Sequence, residues 1–190
     1  MIEAADKTYT VEEYLELEKT SEVRHEFVYG KLIPMSGESK DANDIALNCA
    51  IFLRQALLPK GFKVFVQSVK VQVDEQGLYR YPDVVVTPKS DDADTHIVMQ
   101  PKLLVEVTSE NSAARDRVTK LREYARMELL QHYLIIDQYE MLVEFYNRDG
   151  EKWSYEIFSK PEDTVALTEF DLSLSLADVY AGIDFKEKAE

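Results

Sequence analysis

Two carboxylates stand where a folded chain tolerates charge least. Asp83 follows Tyr81-Pro82 and leads into Val84-Val85-Val86, and Glu106 lies between Leu103-Leu104-Val105 and Val107-Thr108. Apolar runs of this kind read as strands of a covered sheet. An ionised group placed there loses its hydration. Each carboxylate therefore marks either a strand end opening onto a cleft or a site that takes a cation.

The segments around these strands set the fold class. Thr10-Val11-Glu12-Glu13 reads as a capping box opening a helix that runs to about Lys19. Arg24 to Ser36 reads as a hairpin turning at Tyr29-Gly30-Lys31. Asp41 to Leu58 carries apolar residues at helical spacing and stops at Pro59-Lys60-Gly61. Strands are expected over Phe62–Val73, Tyr81–Thr87 and Leu103–Thr108. Asn111-Ser112 can cap a third helix, Ala113–Met127, with Val118, Leu121 and Ala125 inward. Further strands are expected at Tyr133–Asp137, Met141–Asn147 and Trp153–Ser159, the last two joined by an Asp149-Gly150 turn. Leu174–Ala181 reads as a short closing helix, and Asp74–Gly77 and Lys89–Thr95 as loops. The expected fold is one mixed α/β (α+β) domain over residues 1–190, a central mixed sheet flanked by helices. An N-terminal helix-hairpin and a C-terminal antiparallel hairpin are added to it.

Composition excludes several function classes. The longest apolar runs are too short to span a bilayer, and Met1–Thr10 lacks the basic flank and apolar stretch of an export signal. One cysteine, Cys49, leaves no internal disulfide, so a cytoplasmic protein is expected. The net charge of −14 opposes general nucleic-acid binding. Residues 27–70 and 115–136 are nonetheless mildly basic, so a phosphate could be met locally. His25, His96 and His132 lack metal-ligand spacing, and none forms an evident nucleophile arrangement with Cys49.

Each candidate residue also has a plainer reading. Asp83 could be a turn residue after Pro82. Glu106 could belong to a buried ion pair. Lys120 could pair with Asp116 one helical turn earlier. Glu26, alternating with Phe27, could be a solvated strand position. Taken together, two carboxylates and a lysine are what metal-dependent phosphodiester hydrolysis requires: oxygen ligands for a hard divalent ion and a cation near the phosphate.

The ordered set Tyr9-Thr10-Val11-Glu12-Glu13-Tyr14-Leu15, Arg24-His25-Glu26-Phe27-Val28-Tyr29-Gly30-Lys31-Leu32, Tyr81 to Val86, Leu104 to Ser109, and Asp116-Arg117 with Lys120 and Tyr124 resembles a known group. It is similar to the PD-(D/E)XK nuclease superfamily and, within it, to the bacterial Uma-two family, described as putative restriction endonucleases. The resemblance runs over roughly residues 9 to 180. It implies a restriction-endonuclease-like core, with Asp83, Glu106 and the Val107 carbonyl as ligands of Mg²⁺, or of Mn²⁺ in its place. Lys120 would stand at the attacking water or scissile phosphate, and Glu26 would complete the acidic cluster or hold a second metal. Arg117, one turn back on the helical face of Lys120, would border the cleft and meet an adjacent phosphate. DNA is the implied substrate. Cutting both strands of a duplex is most simply done with two active sites, so a homodimer is expected, with aromatics of the Tyr139–Phe158 hairpin as its contact if exposed.

Two departures stand out. The superfamily lysine two residues after the glutamate is Thr108 here, and Lys120 is expected to fill its place from the following helix. Many relatives carry a histidine at the start of the second helix, where this chain has Ala42. The alternative function is a nuclease-fold protein without strong catalysis, acting as a nucleic-acid-binding or regulatory module.

Overall fold

The structure, a computed structural model, describes residues 7–89, 94–108 and 116–185, with Asp116 and Arg117 described in backbone only. In chain order it contains α1 (Val11–Thr20), β1 (His25–Val28), β2 (Lys31–Pro34), α2 (Lys40–Leu57), β3 (Phe62–Val66), β4 (Lys70–Asp74), β5 (Leu78–Arg80), β6 (Val84–Pro88), β7 (Ile97–Val98) and β8 (Leu103–Thr108). There follow a π-helical turn (Asp116–Lys120), α3 (Leu121–Tyr124), β9 (His132–Asp137), β10 (Val143–Asp149), β11 (Lys152–Phe158), β12 (Thr164–Leu167), β13 (Leu172–Ser175) and α4 (Leu176–Val179).

The carboxylate-bearing runs lie in the middle of a six-stranded mixed sheet ordered β11-β10-β9-β8-β6-β3. β8 pairs antiparallel with β6 and parallel with β9. Every residue of β8 is buried, because both faces are covered. On one face Leu103, Val105 and Val107 meet the apolar side of α2 (Ile45, Ala46, Cys49, Leu53, Leu57). On the other face Leu104 meets Tyr124, Met127 and Leu130. Glu106 and Thr108 share the face of Leu104, since side chains alternate along a strand.

A second, five-stranded sheet, β2-β1-β5-β4-β7, goes beyond the single sheet expected from the sequence. The expected strand Phe62–Val73 breaks in two, and its halves enter different sheets. The break is Gln67-Ser68, two successive residues with left-handed backbone (φ 49° and 56°), which redirects the chain. The expected strand from Tyr81 likewise begins only at Val84, and β5 ends at Arg80. Pro82 offers no ladder donor, and the chain crosses from one sheet to the other there.

The first helix carries the expected capping box: Thr10 Oγ1 accepts from Glu13 N–H, and Glu13 Oε2 accepts from Thr10 N–H. Its inner face packs on the second sheet, with Tyr14 stacked on Phe27 at 4.6 Å between ring centroids. The hairpin β1-β2 turns through Tyr29 (φ 47°) and Gly30 (φ 94°), a two-residue turn whose positive φ values favour glycine. Here a Cβ on Gly30 would stand 2.5 Å from Thr8 Cγ2. The turn of the later hairpin falls one residue beyond the expected Asp149-Gly150: Asp149 pairs with Lys152, leaving Gly150-Glu151 as the loop. β12 and β13 form a further hairpin whose Val165, Leu167 and Leu174 extend the α2 core. The closing helix is correspondingly shorter than expected.

The third helix differs most from expectation. Its proposed cap, Asn111-Ser112, and its start at Ala113 lie outside the described residues. The π turn adds residues to one turn and so rotates the face that follows. Val118, expected inward, is 52% exposed, and Lys120 and Tyr124 are the buried pair.

Candidate active site

Asp83 sits at the mouth of β6. Pairing of β6 with β8 ends at Val84–Val105, and beyond that pair the Asp83 carboxylate replaces the missing ladder partner. Its Oδ2 accepts from Val107 N–H at 2.6 Å. Its own carbonyl accepts from Gln67 N–H at 2.9 Å, so the left-handed turn holds the Asp83 backbone in place.

Glu106 lies one ladder step away and is buried. One oxygen accepts from Tyr124 O–H at 2.9 Å, and the other lies 2.9 Å from Lys120 Nζ. Lys120 and Tyr124, four residues apart, reach Glu106 together because positions i and i+4 share a helix face. The plain reading of Glu106 as part of a buried ion pair is thus met in the structure. The same pair also borders a cleft.

Glu26 is not the solvated position considered above, being 3% exposed. One of its oxygens lies 3.6 Å from Lys120 Nζ, and the other accepts from Arg80 at 2.7 Å. Arg80 in turn grips Glu123 with two N–H groups, at 2.9 and 2.7 Å. The result is a buried alternation of charge: Glu106, Lys120, Glu26, Arg80, Glu123. Arg80 sits at the end of β5, immediately before Tyr81-Pro82-Asp83. Sequence reasoning missed it, because a buried arginine is defined by partners far away in the chain.

A cavity of about 550 Å³ opens onto Glu26, Asp83, Glu106, Val107 and Lys120, with Ala42 and Glu38 on its wall. Glu38 was also missed. It precedes Ser39, whose hydroxyl caps α2 by accepting from Ala42 N–H; an acidic residue beside a helix N-cap was the available signal. Burial first, then the Glu106 charge, then Glu38 push the Asp83 carboxyl well above its ordinary value of 3.8. A raised value means that the folded chain holds this proton more tightly than the unfolded one. The resulting stabilisation is full below pH 3.8 and disappears as pH rises through the raised value.

A divalent ion fits this donor set. Among the described residues no group of three or more His, Cys, Asp or Glu side chains is arranged to hold an ion by itself. Mg²⁺ does not need such a cage: it is held by one or two carboxylates and keeps waters and substrate oxygens for the rest. Two mutually repelling carboxylates on an open cleft match that demand, and a cation would relieve the repulsion that raises the proton affinity of Asp83. Thr108 lies on the same face as Glu106, buried, with its hydroxyl directed to the Ile136 carbonyl and its own carbonyl accepting from Gln138. The side chains of Arg117 and Asp116 lie outside the described residues. The histidines are elsewhere; His132, for one, is pushed down to about 4 by burial.

Comparison with known proteins agrees with this architecture. A family model named Uma2, described as "Putative restriction endonuclease", matches residues 11–177. The uncharacterized protein sll1609 of Synechocystis is 33% identical over 155 residues, covering 80% of this chain and 88% of that protein. A second Synechocystis protein, the uncharacterized slr1290, is 28% identical over 175 residues, 92% of each chain. The crystal structure of a putative nuclease belonging to DUF820 from Anabaena variabilis superposes with a TM-score of 0.75 at 19% identity, covering 91% of this chain and 98% of that one. That last likeness concerns the fold. No helix among the described residues is long and apolar enough to cross a membrane.

Proposed function

The chain belongs to the Uma2 family of putative restriction endonucleases, and we propose that it hydrolyses phosphodiester bonds in DNA as a divalent-metal-dependent endonuclease. The observation that carries this reading is the cleft in which Lys120 Nζ lies 2.9 Å from Glu106, with the Asp83 carboxylate on the same cavity wall. Asp83, Glu106 and the Val107 carbonyl would hold Mg²⁺, with Mn²⁺ as a substitute. The ion would supply positive charge to the phosphate and acidify a water. Lys120 stands on the same face and stabilises negative charge developing on the phosphate. Tyr124 and Lys120 orient the Glu106 carboxylate; burial, then the Glu106 charge, push the Tyr124 hydroxyl up, so it stays a donor. Glu26 holds Lys120 from its other side. Arg117, three residues earlier, is assigned to an adjacent phosphate.

Plasmid cleavage across a panel of divalent ions tests the reading directly. Asp83→Asn should weaken Mn²⁺ binding severely, and the wild-type affinity should rise with pH above 3.8 as the Asp83 proton is displaced. At a pH above the raised Asp83 value, the same substitution removes a repelling half-buried charge while keeping an acceptor for Val107 N–H. The metal-free variant should therefore melt higher than the wild type, by about 2–4 °C for each kcal/mol recovered. A metal-free melting point lowered by Asp83→Asn, with Mn²⁺ binding intact, would reject the metal site.

A second reading has a specific observation behind it. Both Glu106 oxygens already have partners in Tyr124 and Lys120, as they would in a fold kept for binding rather than cleavage. Absence of cleavage with every ion, alongside intact DNA binding, would favour it.

Cleaving both strands of a duplex calls for two active sites, which a two-fold dimer supplies. We assign the contact to the edge strand β11 and the loop before β10, where Tyr139, Tyr155 and Ile157 are exposed. Sedimentation at high micromolar concentration should show a dimer. A monomer both with and without DNA would exclude it.

A further inference from the structure

On the far side of Tyr81 from the carboxylate cleft lies a smaller cavity, of about 310 Å³, bordered by Glu18, Arg24, Ser68, Lys70 and Tyr81. Lys70 opens β4 and is 8% exposed. Among the described residues its ammonium makes no hydrogen bond and no ion pair. It faces the rings of Tyr14 and Tyr81, each 5.7 Å away, at the outer limit of a useful cation–π contact. Burial first of all pulls its affinity for a proton down. A buried ammonium with no counter-ion in contact is costly to keep, and among the described residues none touches this one, so it is placed to receive an anion from outside.

The two carboxylates on the cavity wall, Glu18 and Asp94, favour the charged form of Lys70 through their fields but do not touch its ammonium. Glu18 accepts from the His25 backbone and faces the His25 ring with one oxygen, and accepts from Tyr81 O–H at 2.6 Å with the other. Asp94, also on the cavity wall, accepts from His96 N–H at 2.7 Å. Arg24 donates one N–H to the Glu18 carbonyl and stands 3.9 Å from the Glu18 carboxylate, with its side chain 46% exposed and donors to spare. An ammonium, a guanidinium and the Ser68 hydroxyl converge on one opening, and that set suits the several oxygens of a phosphate group.

The cavity also adjoins the proposed active site. Tyr81 borders both, and Asp83 follows two residues later, at most about 7 Å of backbone away. Around the other side, Arg24 and Ser68 also border a trough of about 650 Å³ that shares Met35 to Ser39 with the carboxylate cleft. We propose that Lys70, with Arg24 and Ser68, forms a second phosphate-binding subsite that holds the nucleic-acid strand on the far side of Tyr81 from the phosphate being cut. This inference rests on reading the cleft as a nucleic-acid site. It adds the path of the strand and a residue, Lys70, that contributes to binding and not to the chemical step.

The test is fluorescence anisotropy of labelled single-stranded DNA in EDTA, so that no cleavage occurs, with the full chain and its Lys70→Met, Lys70→Gln and Lys70→Arg variants. Loss of one charge-assisted contact should weaken binding about ten- to a hundredfold in the Met and Gln variants. The salt slope of their affinity should fall by about 0.7, the value of one single-strand phosphate contact, and Lys70→Arg should keep most of both. Inorganic phosphate should compete with DNA on the wild type and not on Lys70→Met. The Met variant should melt no lower than the wild type, because it removes an uncompensated buried charge, which separates lost binding from lost folding. Oligonucleotides with and without a terminal phosphate identify the source: a Lys70 effect confined to the phosphorylated form marks a terminal monoester, and an equal effect marks an internal phosphodiester. A wild type that fails to cut DNA with every divalent ion yet binds it through Lys70 would remove the nuclease reading and leave this one standing. Equal affinity and equal salt slope for wild type, Lys70→Met and Lys70→Gln, or no DNA binding by the wild type at all, would overturn it.

Discussion

Arg80→Met is expected to cost about 3–5 kcal/mol of folding free energy, the range for breaking a buried pair from one side. Arg80 is 2% exposed and neutralises two carboxylates, Glu26 at 2.7 Å and Glu123 through two bonds. Methionine fills much of the volume and supplies no charge, so two acidic side chains are left facing each other with one cation, Lys120, between Glu26 and Glu106. At about 2–4 °C per kcal/mol for a chain of this size, the melting point should fall by roughly 6–20 °C. Adding Glu26→Gln and Glu123→Gln to Arg80→Met should recover most of the loss, because residues in one ionic network are coupled. A fall below about 2 °C would mean that the carboxylates protonate or find water at little expense, and that the alternation of charge is not what holds β5 against the third helix. The effect should also reach the cleft. With Arg80 gone, Glu26 competes harder for Lys120, drawing its ammonium from Glu106.

How legible all this is in the sequence depends on the range of the interactions involved. Both ends of β8 are legible, since a strand covered on both faces is a continuous apolar run bounded by polar loops. The first helix is legible from Thr10 and Glu13, whose reciprocal bonds span three residues, and α2 from its apolar stripe. The second sheet is not legible. Its strands β5 and β7 are three and two residues long, too short for a period to register, and the break at Gln67-Ser68 uses left-handed backbone at residues that give no warning of it. The π turn changes which face of the third helix points inward, and with it moves Val118 out and Lys120 in; a helix of regular pitch is the only premise that sequence offers. Asp83 and Glu106 stand out because charge in an apolar strand is anomalous on its own. Arg80 becomes legible only in three dimensions, from partners 54 and 43 residues away, whereas Glu38 offers a weak local signal beside the Ser39 cap and gains its meaning from its approach to Asp83. The grouping of Lys120 with Glu106 comes from resemblance to a family, whereas spacing alone favours Asp116 as its partner.

Lys120→Met carries the second large effect and decides whether the cleft is an active or a retired nuclease site. Under the proposed function, its ammonium substitutes for the lysine that the superfamily places at Thr108, and its loss should lower DNA cleavage about 10²–10⁴-fold, the contribution typical of one positioned proton-transferring or charge-stabilising group. The substitution also leaves Glu106 and Glu26 without their shared cation, so stability falls as well, and activity must be compared at a temperature where both proteins are folded. Two measurements separate the roles. Mn²⁺ should still bind Lys120→Met, since its proposed ligands are Asp83, Glu106 and the Val107 carbonyl, and removing a competing ammonium 2.9 Å from Glu106 should if anything tighten it. Lys120→Arg, which keeps the charge and the pairing with Glu26, should restore the melting point; its planar, always-charged fork cannot reproduce a compact ammonium, so cleavage should stay depressed. A Lys120→Met protein that melts lower but cuts DNA at the wild-type rate would assign Lys120 to the buried ion-pair network alone. The developing charge on the phosphate would then need another cation, and Arg117, three residues earlier on the same segment, is the residue to replace next.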